Sequence, residues 1–263
     1  MKKIPKILII AGSDSCGGAG LQADIKIATS LNTYTAAAVT CLTAQNTKGV
    51  FDIFYPSKES LKQQITVVLD DIKFDAIKIG MLGRLEIIEV VSEVLKEKAK
   101  KIPVILDSVM VATSGDLLLE KNAVNALKSR LINGCYLITP NIDEAEILAN
   151  MKISNLDDMK DASFKIKALG AKNVLIKGGH LKNKEDKIYN LLLDEKNNFH
   201  IISNPKIKIK KIHGTGCSLA SAIACNIAKK MPLEKAVQNA NQFLFRKIKD
   251  SVKIGGGSNV LVY

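Results

Sequence analysis

Residues 210–229, KKIHGTGCSLASAIACNIAK, set the terms on which the rest of the chain is read. Just upstream, Ile207, Ile209 and Ile212 alternate with Lys206, Lys208 and Lys210, the period-two pattern of a strand. A tight turn follows, His213-Gly214-Thr215-Gly216, and then a helix from about Cys217 built of small residues: Ser218, Ala220, Ser221, Ala222 and Ala224. Two glycines at a helix start leave backbone N–H groups pointing at one spot with no Cβ in the way. First-turn amides lack intrahelical partners and carry the positive end of the helix dipole, so that spot attracts an anion. A thiol in the same field, Cys217, is expected to have its thiolate stabilised. The plain alternative is a glycine turn before a helix packed closely on a sheet, and the local pattern fits both.

Working outward, strands and helices alternate. Ile7-Leu8-Ile9-Ile10 reads as a strand buried on both faces. It leads into Gly12-Ser13-Asp14-Ser15-Cys16-Gly17-Gly18-Ala19-Gly20 and a helix over 21–31. A strand over 35–43 ends in Ala44-Gln45-Asn46-Thr47. Helices over 57–71, 84–99 and 122–131 precede strands at 75–79, 104–106 and 136–138, closed by Gly80-Met81-Leu82-Gly83, Asp107 and Thr139-Pro140-Asn141. Helices at 143–150 and 155–169 precede Val174-Leu175-Ile176, closed by Lys177-Gly178-Gly179-His180, and 187–193 with 198–203 reads as a hairpin. This order predicts an α/β fold, a mostly parallel sheet with helices on both faces and right-handed crossovers. With no repeat, linker or composition shift, residues 1–263 are expected to form one domain. Ligands of such sheets sit at the carboxyl ends of the strands. That rule gathers Ser13, Asp14, Gln45, Met81, Asp107, Thr139, Asn141, Lys177 and the HGTGC turn into one neighbourhood.

Composition narrows the function. The net charge of +12 comes from lysines spread along the whole 263 residues, without the clustering and aromatic interleaving of a nucleic-acid surface. An anionic small substrate and solvated faces account for the charge, and no nucleic-acid partner is expected. The five cysteines, Cys16, Cys41, Cys135, Cys217 and Cys225, form neither a disulfide framework nor a zinc motif. No signal peptide is visible, no stretch approaches the roughly 18–20 apolar residues of a membrane span, and a reduced cytoplasmic protein is expected.

Several motifs admit two uses. The first glycine loop fails as a Walker A sequence, since Gly17-Gly18-Ala19 stands where Gly-Lys-Ser/Thr is needed. Gly18-Ala19-Gly20-Leu21-Gln22-Ala23 matches G-x-G-x-x-A, but residues 35–44 contain no acid to bind a ribose. What remains is a loop whose backbone can approach a flat ligand, with Asp24 either facing that ligand or simply solvated. Asn141 and Glu144 have capping-box spacing; alternatively they hold the water shell of a phosphate-bound magnesium ion. Asp107, at a strand end, can serve the same cation, and Lys177 before two glycines suits a phosphate. Met81 is either core or an apolar wall for a ring. His180, His200 and His213 have no i, i+4 partner, which argues against a histidine metal site.

Together, IAGSDSCGGAGLQADIK (10–26), LTAQNTKGV (42–50), KIGML (78–82), TPNIDEAEIL (139–148), KGGH (177–180) and HGTGCSLASAIA (213–224) resemble the ribokinase-like superfamily. Within it, the chain resembles the hydroxymethylpyrimidine/phosphomethylpyrimidine kinases of thiamine biosynthesis. The resemblance implies a three-layer α/β/α sandwich and two successive transfers from ATP with Mg²⁺. The first phosphorylates 4-amino-5-hydroxymethyl-2-methylpyrimidine and the second its monophosphate. It further implies that Gly12, Ala19, Asp24, Gln45, Met81 and Val109 border the pyrimidine. Thr139, Asn141, Lys177 and Thr215 would serve the nucleotide, Asp107 and Glu144 the metal, and Gly214, Thr215, Gly216 and Cys217 the transfer itself. A homodimer is implied as well. Gln45 offers a donor and an acceptor, which suits an aminopyrimidine edge. Cys217, with its pKa lowered by the helix start, would act as base in the first transfer. Three features depart from the pattern: Ser108 stands where proline is usual, Cys16 replaces serine, and Gly255-Gly256-Gly257-Ser258-Asn259 lacks a customary histidine and proline. Pyridoxal kinases of the same cysteine-bearing branch and a non-catalytic binding protein are the competing readings.

Overall fold

Four isoleucine and leucine residues at the start of the chain build the middle of the sheet. In β1 (Lys6–Asp14), Ile7 and Ile9 face one apolar layer while Leu8 and Ile10 face the other, the alternation that a strand buried on both sides requires. The structure, a computed structural model, describes residues 4–110, 118–181, 186–207 and 212–263. Among these, one sheet has the order β3-β2-β1-β4-β5-β6-β7-β8-β9. Its parallel centre is β2 (Tyr34–Gln45), β1, β4 (Ala76–Ile79), β5 (Val104–Leu106), β6 (Leu137–Ile138) and β7 (Asn173–Lys177). Antiparallel strands flank it, β3 (Val50–Phe54) on one side and β8 (Lys187–Leu193) with β9 (Phe199–Pro205) on the other.

Helices cover both faces, so the expected three-layer arrangement is observed. One core packs α2 (Lys58–Asp71), α3 (Leu85–Lys98), α4 (Lys121–Ala126), α5 (Ile142–Ala149) and α6 (Leu156–Lys167) against Leu8, Ile10, Ile77 and Ile79. The other packs α1 (Gly20–Ser30), α7 (Thr215–Ala228) and α8 (Leu233–Lys249) against Ile7, Ile9, Ala76 and Ile105. Leu219, Ala220, Ala222, Ile223 and Ala224 of α7 are all buried, and small side chains there let the helix lie close to the sheet.

The strand order reverses at β1, whose two neighbours are β2 and β4. A crevice opens at such a switch point, and Gly12 marks it: the register between β1 and β2 shifts between Ala11 and Ser13. Local corrections are few. β3 was not anticipated, the expected helix over 122–131 becomes π-helical at Leu127–Ile132, and α7 starts at Thr215 rather than Cys217. Of the strand expected over 207–212, the described part is β10 (Ile212–His213), which pairs with β11 (Asn259–Val260); residues 208–211 lie outside the described residues, as do 111–115 of the loop after Asp107. No described helix is long and apolar enough to cross a membrane.

Candidate active site

The HGTGC turn lies on the wall of a cleft of about 810 Å³ at the carboxyl ends of the central strands. Gly214 is the N-cap of α7 at φ +82°, and a Cβ on it would strike the Gly18 carbonyl, so only glycine fits. The first amide of the helix to find a partner is that of Ser218, which donates to Gly214 O at 3.0 Å. The N–H groups of Thr215, Gly216 and Cys217 have no protein acceptor among the described residues, and all three residues line the cleft. The sequence offered either an anion hole or a packing turn; the helix packs closely on the sheet, and its first three amides are left without a protein acceptor beside the cleft.

Across from the turn stand two buried carboxylates and a lysine. Asp107, 1% exposed, follows β5; its Oδ1 accepts from Lys177 Nζ at 2.8 Å and from Thr139 Oγ1 at 3.3 Å. Its Oδ2 is buried and has no partner. Burial favours the neutral acid, but the cations of Lys177 and Lys78 outweigh it and hold the Asp107 carboxyl below its ordinary value. Glu144 is pushed the other way, chiefly by burial, with the charge of Asp107 adding to it. The Asn141–Glu144 capping box is present in full: Glu144 N–H donates to Asn141 Oδ1 and Asn141 N–H to Glu144 Oε2, both at 2.9 Å. Capping and a place at the cleft are therefore not alternatives, since both residues also line it. A Cβ on Gly216 would lie 3.2 Å from Lys177 Nζ and 3.9 Å from Asp107 Oδ2, which sets the lysine and the open oxygen beside the first turn of α7.

At the other end, the first glycine loop is tied to the turn through one carboxylate. Asp14 Oδ1 accepts from Cys16 N–H, and Oδ2 accepts from the amides of Gly18 and Ala19 and from His213 Nε2 at 2.9 Å. Burial raises the Asp14 carboxyl, yet these donors together hold it below its ordinary value. His213 Nε2 also lies 2.9 Å from the Gln45 side-chain amide, and a Cβ on Gly18 would come within 2.6 Å of the His213 ring. Gly12, Ala19, Gln45, Met81 and Val109 line this end of the cleft. Met81 is 9% exposed and packs with Cys41 and Leu118, so it is core and wall together.

Three expectations need correction. Asp24 is neither solvated nor on the cleft wall: it is fully buried, its Oδ2 bonded to Lys78 Nζ at 2.7 Å and its Oδ1 to Ser221 Oγ at 2.6 Å. Thr139 is fully buried too, and its hydroxyl serves Asp107. Cys217 is the third. Burial at the floor of the cleft pushes its thiol up to about 12; Lys78 opposes that shift, while Asp107 and Asp24 add to it. Desolvation and neighbouring carboxylates outweigh the helix start, and the resting residue is a thiol. Lys78, a fully buried lysine beside the cleft, is the residue that sequence reasoning missed. Burial works against its charge, but Asp24 keeps it protonated.

A family profile described as phosphomethylpyrimidine kinase matches residues 14–261. The chain is 42% identical over 254 residues to a hydroxymethylpyrimidine/phosphomethylpyrimidine kinase of Bacillus subtilis, covering 97% of this chain and 93% of that one. A crystal structure of phosphomethylpyrimidine kinase from Clostridium difficile superposes with TM-score 0.82 at 40% identity, covering 94% of this chain and 100% of the other. The ADP complex of Bacillus subtilis pyridoxal kinase superposes with TM-score 0.89 at 33% identity, over 98% and 97% of the two chains.

Proposed function

The chain belongs to the phosphomethylpyrimidine kinase family, and on that premise we propose that it carries out both phosphorylations of thiamine biosynthesis expected above. ATP donates first to the hydroxymethyl group of 4-amino-5-hydroxymethyl-2-methylpyrimidine and then to the resulting monophosphate. One observation supports this most strongly: the first turn of α7, whose first three amides have no protein acceptor among the described residues, lies beside Lys177 and the open oxygen of Asp107. Preorganised donors and cations around a phosphoryl group in flight supply most of the rate in such transfers.

In this reading Gly12, Ala19, Gln45, Met81 and Val109 hold the ring, with Gln45 offering its amide to the aminopyrimidine edge. Asp24 supports them from behind through Lys78. Lys177, Asn141 and Thr215 take the nucleotide phosphates. Asp107 fits a magnesium ion, because a buried carboxylate oxygen without a partner is what a hard cation completes. Such an ion, when bound with ATP, neutralises charge on the phosphates. Cys217 takes the acceptor hydroxyl's proton only as its minor thiolate, and a loose transition state releases that proton late, so little base strength is needed. The protein is read as cytoplasmic and as a homodimer; sedimentation of the purified chain tests the dimer.

The deciding assay incubates purified protein with the pyrimidine alcohol, ATP and Mg²⁺ and separates products by phosphate number. A diphosphate is expected; no phosphorylated pyrimidine overturns the reading. Pyridoxal phosphorylation is a second reading, supported by the TM-score of 0.89 to pyridoxal kinases. Pyridoxal in the same assay, giving a monophosphate while the pyrimidine stays unchanged, would select it.

A further inference from the structure

Ser108 takes no part in the chemistry above, yet it is 1% exposed and lies directly after Asp107. Its hydroxyl donates to Glu144 Oε2 at 3.1 Å, across 36 residues of chain. Two backbone amides complete the set around that carboxylate. Asn141 N–H donates to Oε2 at 2.9 Å, and Met110 N–H to Oε1 at 3.3 Å. The capping bond alone comes from the start of α5 and leaves the broad terminal torsion of a glutamate loosely set. The bonds from Ser108 and Met110 arrive from the segment after β5 and fix the plane of the group. The two acids of the cleft are thereby made unequal. Asp107 keeps a bare oxygen, whereas both oxygens of Glu144 already accept hydrogen bonds.

Resting on the kinase reading, we propose that Ser108 is a positioning residue for the divalent cation that accompanies the nucleotide. It holds the Glu144 carboxyl group in a fixed, hydrogen-bonded orientation. Asp107, with its bare oxygen, would then be the carboxylate available to hold the cation, and Glu144, its oxygens already taken, would bear on the water that such hard ions retain. Mutating groups that orient a ligand from behind typically costs about 10–100-fold in metal affinity.

Divalent affinity can be read without catalysis by titrating Mn²⁺ into the protein–ADP complex and following free Mn²⁺ by electron paramagnetic resonance. Ser108→Ala should weaken Mn²⁺ binding about tenfold, while Ser108→Thr, which keeps the hydroxyl, should stay within about threefold of the wild type. ADP affinity without metal and the KM for the pyrimidine should hold in both variants. An alanine variant with wild-type Mn²⁺ affinity overturns the assignment, and so do equal losses in both variants, which mark a packing role. A wild-type chain whose ADP complex takes up no Mn²⁺ fails at an earlier point and removes the kinase reading itself.

Discussion

Two aspartate–lysine pairs sit close together in this molecule and make nearly the same bond, at 2.7 Å for Asp24–Lys78 and 2.8 Å for Asp107–Lys177. Both carboxylates are buried. They differ in their second oxygen. Asp24 gives its own to Ser221, so the pair is closed and Lys78 is held as a fixed charge. Asp107 leaves Oδ2 bare beside the amides of α7, and Lys177 keeps 13% of its side chain exposed to the cleft. Burial and bond length therefore do not separate the two pairs. The unfilled oxygen does.

The contrast breaks most visibly at the closed pair. Asp24→Ala strands the Lys78 ammonium without a counter-charge and should cost about 3–5 kcal/mol in urea unfolding. Removing both charges together, as Asp24→Leu with Lys78→Met, should recover most of that loss. At the open pair the cost moves from stability to rate. Asp107→Asn should lower turnover about 10²–10³-fold, with unfolding free energy within about 1 kcal/mol of wild type. If it destabilises the protein as much as Asp24→Ala does, the two pairs are alike after all.

Cys217, lying between the pairs, sharpens the comparison. With its thiol pushed up to about 12, the thiolate fraction grows about tenfold per unit over roughly pH 7–9. The first transfer should rise with pH accordingly, while the second, whose acceptor is already anionic, stays flat. Cys217→Ala should flatten the first profile and lower it about a hundredfold; equal losses in both transfers would remove the base assignment. The smallest effect is expected at Asp14. Its carboxyl lies below its unfolded value, so its stabilisation is full above about pH 4 and is lost as pH falls through the folded value. Asp14→Asn should cost about 2 kcal/mol at neutral pH, and its stability curve should converge with that of the wild type in strong acid.

Features set by neighbouring residues were legible in the sequence. Apolar runs, glycine turns and polar strand ends named the parallel strands and placed Asp107, Lys177 and Thr215–Cys217 in one crevice. The misses share a different origin. Lys78 sits in Asp75-Ala76-Ile77-Lys78-Ile79, where it passes for an alternating polar residue. Its partner is 54 positions away in α1, and the next link, Ser221, is in α7. The titration of Cys217 failed for the same reason: a helix dipole is local, but desolvation and the charges of Asp107 and Asp24 arise only on folding. β3 escaped because Phe51 and Phe54 are 69% and 64% exposed, so its pattern carries no sign of a buried face. At Ser108, the departure from the family pattern was visible, and its contact with Glu144 was not.

The nesting of Gly18 against His213, and of Gly214 against Gly18, makes a single casting of the first glycine loop and the turn that opens α7, the two segments proposed to hold the ring and the phosphate. No joint lies between them. Under the proposed roles, the separation between an acceptor and the phosphorus arriving at it is moulded into the chain before either reactant comes in. The entropic cost of aligning them falls once, on folding, instead of being repeated in every catalytic cycle.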